Sequence, residues 1–296
     1  MLLTHIHPGQ MRILFTIPHF FKQQEKGRYG SLIMGPQLRC EAFTQCLTAL
    51  RTTYGGPQFI IEVGERRAKR THSDDEHHID IVVCTTKDFH LLPHLNLPPS
   101  FFVHHDTDID PMLLGFRCQA LLRKNLGNYD YYCYLEDDLI LHDPWLFIKL
   151  QWFTNLLGSG HLLQPNRYEA SALCDSKKAY VDGDLKPEAT QEFQTIQDSP
   201  QIQGSVMGKA IFFQRAANPH SGCYFLNNEQ MQQWASMPYF LDGDTSFIGP
   251  LESAATLGIA KTFKVYKPSI ANASFLEIQH FGQGFLQKIS LKELKN

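Results

Sequence analysis

The sequence has no long apolar run, no strong excess of one charge and no evident export signal. No apolar segment reaches the ~18 to 20 residues that a membrane-spanning helix needs. The formal net charge over 296 residues is −3, which argues against general binding to nucleic acid. The first ten residues lack a charged segment followed by a long apolar one, so no signal peptide is predicted. These absences predict a cytoplasmic protein without a transmembrane segment, while peripheral association with a membrane stays open.

Paired-cysteine motifs are also missing. The seven cysteines are odd in number and no C-x-x-C occurs, which disfavours a disulfide framework or a zinc ribbon. Several cysteines lie in apolar runs, so we expect buried thiols in a reducing compartment. Three of the 14 histidines fall in the polar stretch THSDDEHHID, where we expect solvated side chains: His72, His77 and His78.

The pattern of apolar residues in the first half predicts an α/β fold. The hydrophobic content of 43% is enough for a sizeable core. Up to about residue 150, apolar strands such as MRILFTIP, IDIVVCTT and YYCYL alternate with segments of helical periodicity. This order predicts a mixed, mostly parallel sheet with helices on both faces. We expect one domain of two abutting halves, 11–143 and 144–296.

The second half is less regular. Residues 174–204 are polar, and a stretch of this length is typical of a lid, a binding loop or a disordered segment. Asn227 or Asn228 is expected to cap a short helix in NNEQMQQWASM. At Gly249–Pro250, either one helix kinks or a new helix begins at the proline. KTFKVYKP and FLEIQHFG are interpreted as late strands.

Three consecutive acids, Glu136, Asp137 and Asp138, follow the apolar strand YYCYL. Because alternate residues of a strand share a face, Glu136 and Asp138 should point together and Asp137 away. Ligands of open α/β sheets bind outside the carboxyl ends of the strands, where these acids fall. A pair of carboxylates suits Mg²⁺ or Mn²⁺, with phosphate and water completing the shell. The alternative is a solvated turn.

The order of a helix ending in glycine and then GNYDYYCYLEDD resembles the nucleotide-sugar-binding half of GT-A glycosyltransferases. The acidic triplet would be the D-x-D motif of that family, with glutamate in place of its first acid. By this resemblance Asp138 would bind the metal. Glu136 would contact the ribose, or the metal through water, and Asp137 would belong to the same nucleotide-sugar site.

Two later patches resemble the same family. FLDGDTSFIGPLESAATLG is similar to the segment that carries an acid near the acceptor hydroxyl. It offers Asp244 as the first candidate for a catalytic base, Glu252 as the second and Asp242 as the third. EIQHFG is similar to the late histidine that completes the metal shell, which would make His280 a ligand. The plainer interpretations are a helix cap for Asp244, a carboxylate at a helix N-terminus for Glu252 and a core histidine for His280.

The strand ends supply further expected contacts to the nucleotide sugar. Candidates are the ends of the first and third strands and one helical arginine: Pro18, His19, Thr85, Thr86 and Arg117. Weaker candidates for the pyrophosphate are Lys209 and Arg215. Aromatic residues that could stack on an acceptor sugar are Trp234, Tyr239 and Phe240.

The resemblance implies a metal-dependent glycosyltransferase. It would use Mn²⁺ or Mg²⁺ and a nucleotide-sugar donor, with UDP favoured over GDP. It would transfer one sugar to a hydroxyl of a glycan, a lipid or a small molecule, with inversion favoured. The Gln-x-x-Arg-Trp pattern of processive synthases is absent, which disfavours a polymerase.

Two alternatives remain. A sugar-nucleotide nucleotidyltransferase would carry a compact glycine-rich phosphate loop after the first strand. The stretch IPHFFKQQEKGRYGS contains Gly27, Gly30, Lys26 and Arg28 but no G-x-G run. A non-catalytic protein that binds a divalent metal is the second alternative, although the EF-hand spacing is absent.

Overall fold

A computed structural model describes residues 10–22, 35–71, 77–174 and 176–288. His72 and most of the glycine-containing stretch after the first strand lie outside these residues. Within them the chain forms the helices α1 (Pro36–Tyr54), α2 (Leu114–Lys124), α3 (Leu146–Leu157), α4 (Asn228–Ala235) and α5 (Pro250–Thr262). The strands are β1 (Arg12–Pro18), β2 (Gln58–Glu62), β3 (Arg67–Thr71), β4 (His78–Thr86), β5 (Val103–Thr107), β6 (Tyr131–Leu135), β7 (Leu139–Ile140), β8 (His161–Leu163), β9 (Asn166–Ala170), β10 (Lys178–Tyr180), β11 (Gln201–Val206), β12 (Lys209–Arg215), β13 (Cys223–Asn227), β14 (Lys264–Pro268) and β15 (Glu277–His280).

A five-stranded sheet in the order β13-β6-β1-β4-β5 forms the centre of the fold. Its strands β6, β1, β4 and β5 are mutually parallel, while β13 is antiparallel to β6. The prediction of a mixed α/β fold with a mostly parallel sheet flanked by helices is confirmed. The strand β13 comes from the second half of the chain, so the sheet draws on both halves.

The strand order of this sheet reverses beside β1. The chain runs from β1 to β4 and β5 on one side, and then returns through α2 to β6 on the other side. In open α/β sheets such a reversal leaves a crevice at the carboxyl ends of the two strands. The carboxyl ends of β1 and β6 are therefore the expected binding edge.

Period-two alternation distributes the side chains of β6 between two cores. Tyr131, Cys133 and Leu135 pack in one buried cluster with residues of α1 and α3. Tyr132 and Tyr134 pack in the other with residues of α2, α4 and α5. Because both faces are covered, all five residues of β6 are buried and apolar or aromatic, as in the sequence YYCYL.

Two smaller sheets pack beside the central one. Their orders are β10-β9-β15-β7 and β11-β12-β14-β8. The polar stretch 174–204 contributes β10 and the start of β11, so its described part is not a structureless loop. Asn227 caps α4 with a full capping box. A new helix begins at Pro250, with Gly249 as its N-cap, so the alternative of one kinked helix is wrong.

Two further observations concern the cysteines and the membrane. All seven cysteines are free, and five of them are buried.

Among the described residues, no helix combines the length and apolar character required to cross a bilayer.

Candidate active site

The three acids form a turn where β6 ends, at the reversal of strand order. Backbone hydrogen bonds from three segments hold this turn. The N–H of Glu136 donates to the carbonyl of Gly222 (2.9 Å), and the N–H of Phe281 donates to the carbonyl of Asp138 (2.8 Å). The N–H of Leu139 donates back to the carbonyl of Glu136 (3.2 Å). The acids are thus part of a fixed turn.

Asp137 points to the α1 side of the sheet and is fully paired. The Nη2 group of Arg39 donates to both of its carboxylate oxygens at 2.6 Å, and Nδ1 of His19 lies 2.5 Å from Oδ2. Burial by itself raises the pKa of Asp137, but Arg39 and His19 outweigh it and bring the pKa to about 2. Asp137 is a buried anion that ties α1 to the turn.

The ring of His19 has no edge left for a nucleotide. It is fully buried, and its Nε2 accepts the N–H of Leu91 at 3.1 Å while Nδ1 faces Asp137. The ring also stacks on Phe43. The predicted nucleotide contacts of His19 and Asp137 are therefore not supported by this geometry, since each side chain is already satisfied inside the protein.

Glu136 points to the opposite side, as the alternation predicts. Its Oε2 lies 3.6 Å from Nη1 of Arg167. Burial is the largest influence on the pKa of Glu136 and raises it. Arg167 lowers this pKa, while the carboxylates of Asp138 and Glu252 raise it further, and the result is a pKa of about 8. A Cβ at Gly222, where φ is +64°, would lie 2.5 Å from Oε2, so glycine is required there for this side chain to fit.

Asp138 has one carboxylate oxygen without a partner. Its Oδ1 is buried and accepts no hydrogen bond within the described part of the chain. Its Oδ2 lies 3.5 Å from Nη1 of Arg39 and 3.8 Å from Nε2 of His280. The second of these distances is too long for a hydrogen bond. The carboxylate of Asp138 can therefore accept further bonds, and it lies beside a nitrogen of His280.

Glu169 orients the ring of His280. The Nδ1 atom of His280 lies 3.0 Å from Oε1 of Glu169, while Oε2 accepts the backbone N–H groups of Phe285 (2.9 Å) and Leu286 (2.7 Å). With the proton on Nδ1, Nε2 is the atom that faces Asp138. Burial lowers the pKa of His280, but Asp138 and Glu169 together leave it above its ordinary value.

A second ionic cluster supports Arg167. Its Nη2 donates to Oδ1 of Asp182 at 2.8 Å, and the buried Lys267 lies 3.5 Å from Oδ2 of the same carboxylate. The Nζ of Lys267 donates to the carbonyl of His220 (2.5 Å), and His220 pairs with the Thr256 hydroxyl (2.9 Å). Asp182 comes from the polar stretch 174–204, so that stretch helps to place the Arg167 guanidinium.

Negative charge is in excess across these connected groups. Within the described residues the network includes six carboxylates and three Lys or Arg side chains. The carboxylates are Glu136, Asp137, Asp138, Glu169, Asp182 and Glu252, and the basic side chains are Arg39, Arg167 and Lys267, the last with a pKa lowered by burial. Such an excess in a buried place favours either proton uptake or a bound cation.

The residues present fit a divalent ion with an incomplete protein shell. In the described ranges, no three His, Cys, Asp or Glu side chains converge as a ready-made metal cluster. An ion of the Mg²⁺ type needs only one or two carboxylates when phosphate oxygens and water complete its shell. The unpaired Oδ1 of Asp138 and the oriented Nε2 of His280 suit that kind of site.

The two candidate bases lie at different places along α5. Glu252 is in its first turn, with a buried, unpaired Oε2, and it interacts electrostatically with Glu136. The Oδ2 of Asp244 instead lies 3.0 Å from Nζ of Lys261, in the last turn. Lys261 follows Glu252 by nine positions, which is about 13 Å along the helix axis. The structure therefore brings Glu252, and not Asp244, to the acidic turn.

Asp244 belongs to a separate crevice. Hydrogen bonds from Ser246 are the main cause of its lowered pKa, and Lys261 adds to them. Asp244 does not cap α5, whose N-cap is Gly249. Among the residues lining the crevice beside Asp244 are Trp234, Tyr239, Asp242 and Lys261.

The other predicted contacts are mostly occupied within the protein. The hydroxyl of Thr85 pairs with Nε2 of His104 (2.7 Å), and that of Thr86 donates to the carbonyl of Ile109 (2.5 Å). Both threonines are fully buried, so they shape the strand end instead of facing a ligand. Pro18 closes β1, where it pairs with Cys84 of β4 in the sheet register.

Arg117 and Arg215 also have partners within the protein. The Nε of Arg117 donates to Nε2 of His105 at 3.0 Å. Arg215 is buried and donates to the carbonyl of Asp198, whereas Lys209 is exposed. Trp234 and Phe240 are buried and pack edge to face, although Trp234 also lines the crevice beside Asp244.

Sequence reasoning missed Arg39, Arg167, Glu169 and Gly222. A single charged residue in a helix or strand has the local pattern of a solvated face, and a glycine before a strand resembles an ordinary turn. Glu169 is the single acid in the five residues of β9, and one acid in a short strand carries little information.

Comparisons with known proteins give only distant structural likenesses. No protein-family model matches the chain, and no curated protein matches it. One solved structure that it resembles is mouse xyloside xylosyltransferase 1 in its apo form, with a TM-score of 0.38, 13% identity and coverage of 86% of this chain and 84% of that one. Another is CMP:2-keto-3-deoxy-manno-octonic acid synthetase complexed with CTP, with a TM-score of 0.32, 11% identity and coverage of 86% and 89%. TM-scores this low assign neither a family nor an activity, so the site is interpreted from its own geometry.

Proposed function

We propose that this protein is a metal-dependent glycosyltransferase of GT-A type, which moves one sugar from a nucleotide-sugar donor to an acceptor hydroxyl. The observation that carries the proposal is the pairing of Asp138 with His280 at the reversal of strand order. There Oδ2 of Asp138 lies 3.8 Å from the oriented Nε2 of His280, and Oδ1 has no partner among the described residues. The turn follows the carboxyl end of β6, the edge at which open α/β sheets bind ligands.

Asp138 and His280 would hold the ion, with Glu136 close enough to contact a ribose or a metal-bound water. The ion, Mn²⁺ or Mg²⁺, would supply positive charge to the diphosphate that leaves the sugar. Arg39 and His19 hold Asp137 and thereby fix the turn that carries both acids. The donor would lie against residues 11–143 and the acceptor against residues 144–296.

Glu252 is the favoured base in this proposal. Its Oε2 has no partner among the described residues and Glu252 interacts electrostatically with Glu136, so this carboxylate could take the proton of an acceptor hydroxyl that attacks the anomeric carbon. A base that serves the attacking group on the face opposite the leaving diphosphate gives inversion. Asp244 would take this role only if its contact with Lys261 broke and the segment before α5 moved.

The donor is proposed to be a UDP-sugar in preference to a GDP-sugar, and the acceptor a glycan, a lipid or a small molecule. Single addition follows from the lack of a processive-synthase pattern. The nucleotidyltransferase alternative depends on the stretch 17–31, which lies outside the described residues from position 23 onwards.

A thermal-shift panel tests the proposal. The purified chain is heated with UDP, GDP, UTP or CTP, each with and without Mn²⁺. Stabilisation by a nucleoside diphosphate only in the presence of Mn²⁺ supports the transferase. Stabilisation by a triphosphate and not by a diphosphate favours the nucleotidyltransferase, which pyrophosphate release from a sugar phosphate would then establish. Stabilisation by Mn²⁺ alone favours a metal-binding protein, and no shift with any nucleotide contradicts the proposal.

A further inference from the structure

The strands β2 and β3 form a hairpin that stands apart from the rest of the fold. Among the described residues they pair only with each other, from Gln58 opposite Thr71 to Glu62 opposite Arg67. A hairpin that packs on nothing is marginally stable in water. This one would gain stability from a surface that covers it.

Large apolar side chains on the hairpin are open to solvent. Phe59 is 56% exposed, Ile60 53%, Ile61 73% and Val63, at the start of the turn, 81%. Contiguous exposed apolar side chains of this kind mark a site of interaction. Because successive residues of a strand point to opposite faces, Phe59 and Ile61 lie on one face and Ile60 lies on the other.

Basic residues accompany the apolar ones on both faces. Phe59 is opposite Arg70, and Ile60 is opposite Lys69. Residues 58–71 contain four basic and two acidic side chains, a formal charge of +2 on a chain whose net charge is −3. The acidic side chains of residues 74–76 follow in sequence, outside the described residues. Arg67 is paired with both acids of the hairpin, Glu62 and Glu65, so the charge offered to an anionic surface rests on Arg66 and Lys69.

We propose that this hairpin docks the protein on an anionic lipid surface. Its turn and apolar side chains would enter the boundary between headgroups and acyl chains, and its basic side chains would contact lipid phosphates and carboxylates. A lipid surface accounts for both faces at once, because fluid lipid can surround a hairpin, whereas one protein partner covers a single face. The inference does not depend on the proposed enzymatic activity.

The position of the hairpin leaves the candidate active site accessible. Gly55 bridges to His77 immediately before β4, so the hairpin emerges at the amino-terminal edge of the parallel strands. The acidic turn follows the carboxyl end of β6, at the opposite edge. Docking would therefore orient the crevice away from the membrane, towards an acceptor in solution or on an extended chain.

Vesicle co-sedimentation tests this inference with the full chain. Phosphatidylcholine vesicles are compared with vesicles that also contain phosphatidylserine. We expect binding to the anionic vesicles, weakened by salt. It should be lost in Ile61→Asp/Val63→Asp and weakened by about fivefold per residue in Arg66→Gln/Lys69→Gln. A matched control, Leu173→Asp/Ile270→Asp, changes two residues that are each 92% exposed elsewhere, and should bind like the wild type.

Thermal unfolding and light scattering complete the test. The hairpin variants should unfold at the wild-type temperature, which would show that lost binding is not lost folding. If the wild type does not sediment with anionic vesicles, or if the Ile61→Asp/Val63→Asp variant binds equally well, the inference is wrong. A wild-type dimer that becomes a monomer in that variant, without vesicle binding, would show that the hairpin covers a second copy of the chain instead.

Discussion

The Nε2 atom of His280 lies 3.8 Å from Oδ2 of Asp138, although the two residues are 142 positions apart in the chain. β7 and β15 bring them together, because His280 pairs with Leu139, the residue after Asp138. The contact is therefore built into the strand register. It is the relationship on which the proposed chemistry depends.

Glu169→Gln is expected to weaken Mn²⁺ binding by about 10- to 100-fold, because Glu169 sets the orientation and basicity of His280. The measurement is a Mn²⁺ titration followed by electron paramagnetic resonance in the presence of UDP. Glu277→Gln, on an exposed pair with Lys178, is the control and should titrate like the wild type. Wild-type affinity in Glu169→Gln would show that the His280 ring needs no such support.

Arg39→Met is expected to destabilise the fold by about 3 to 5 kcal/mol, because it leaves the buried Asp137 with only His19 as a partner. Chemical denaturation measures the free energy of unfolding. The exposed pair of Arg67 and Glu62 is the control, where Arg67→Met should cost about 0 to 1 kcal/mol. Equal losses at the two sites would contradict the structural role of Arg39, and adding Asp137→Asn should restore part of the stability.

The acidic turn was predictable from sequence, while its partners were not. An apolar run of five residues followed by acids places Glu136 and Asp137 on opposite sides of the strand through local geometry alone. Arg39 and Asp137 are 98 residues apart, and the local sequence of α1 gives no sign of that pairing. Likewise, the sequence from Asp244 to Glu252 predicts a catalytic base near the start of a helix. Which of these acids lies near the acidic turn depends on how the helix packs, and the sequence does not show that.

Glu252→Gln is expected to bind the nucleotide with Mn²⁺ normally and to lose transfer by about 10²- to 10⁴-fold, because the amide cannot take a proton. Asp244→Asn should retain most of the transfer rate, since Asp244 contacts Lys261 at the other end of α5. Transfer is followed by release of the nucleoside diphosphate in the presence of acceptor. The reverse order of effects would assign the base to Asp244.

His220 is expected to make the fold sensitive to acid. Burial, and then Arg167, lower its pKa to about 3, against an ordinary value of 6.5. The neutral ring is therefore the form that the fold accepts. Its contribution to stability is complete above pH 6.5 and is lost as the pH falls from 6.5 towards 3.

A comparison of unfolding free energies across that pH range tests this expectation. The wild type should lose stability more steeply than His220→Asn, by up to about 1.4 kcal/mol per pH unit. Carboxylates titrate in both proteins and cancel in the difference. Parallel curves would mean that His220 is not held neutral by the fold.

The most direct test of the central claim is the thermal shift given by UDP and Mn²⁺ together in Asp138→Asn. The asparagine keeps the size of the side chain and removes its charge, so the fold should survive while the metal loses its carboxylate. Asp184→Asn, at an exposed carboxylate, is the matched control. We predict that Asp138→Asn loses the Mn²⁺-dependent shift and that Asp184→Asn keeps it. A full shift in Asp138→Asn would contradict the assignment of the metal to this turn.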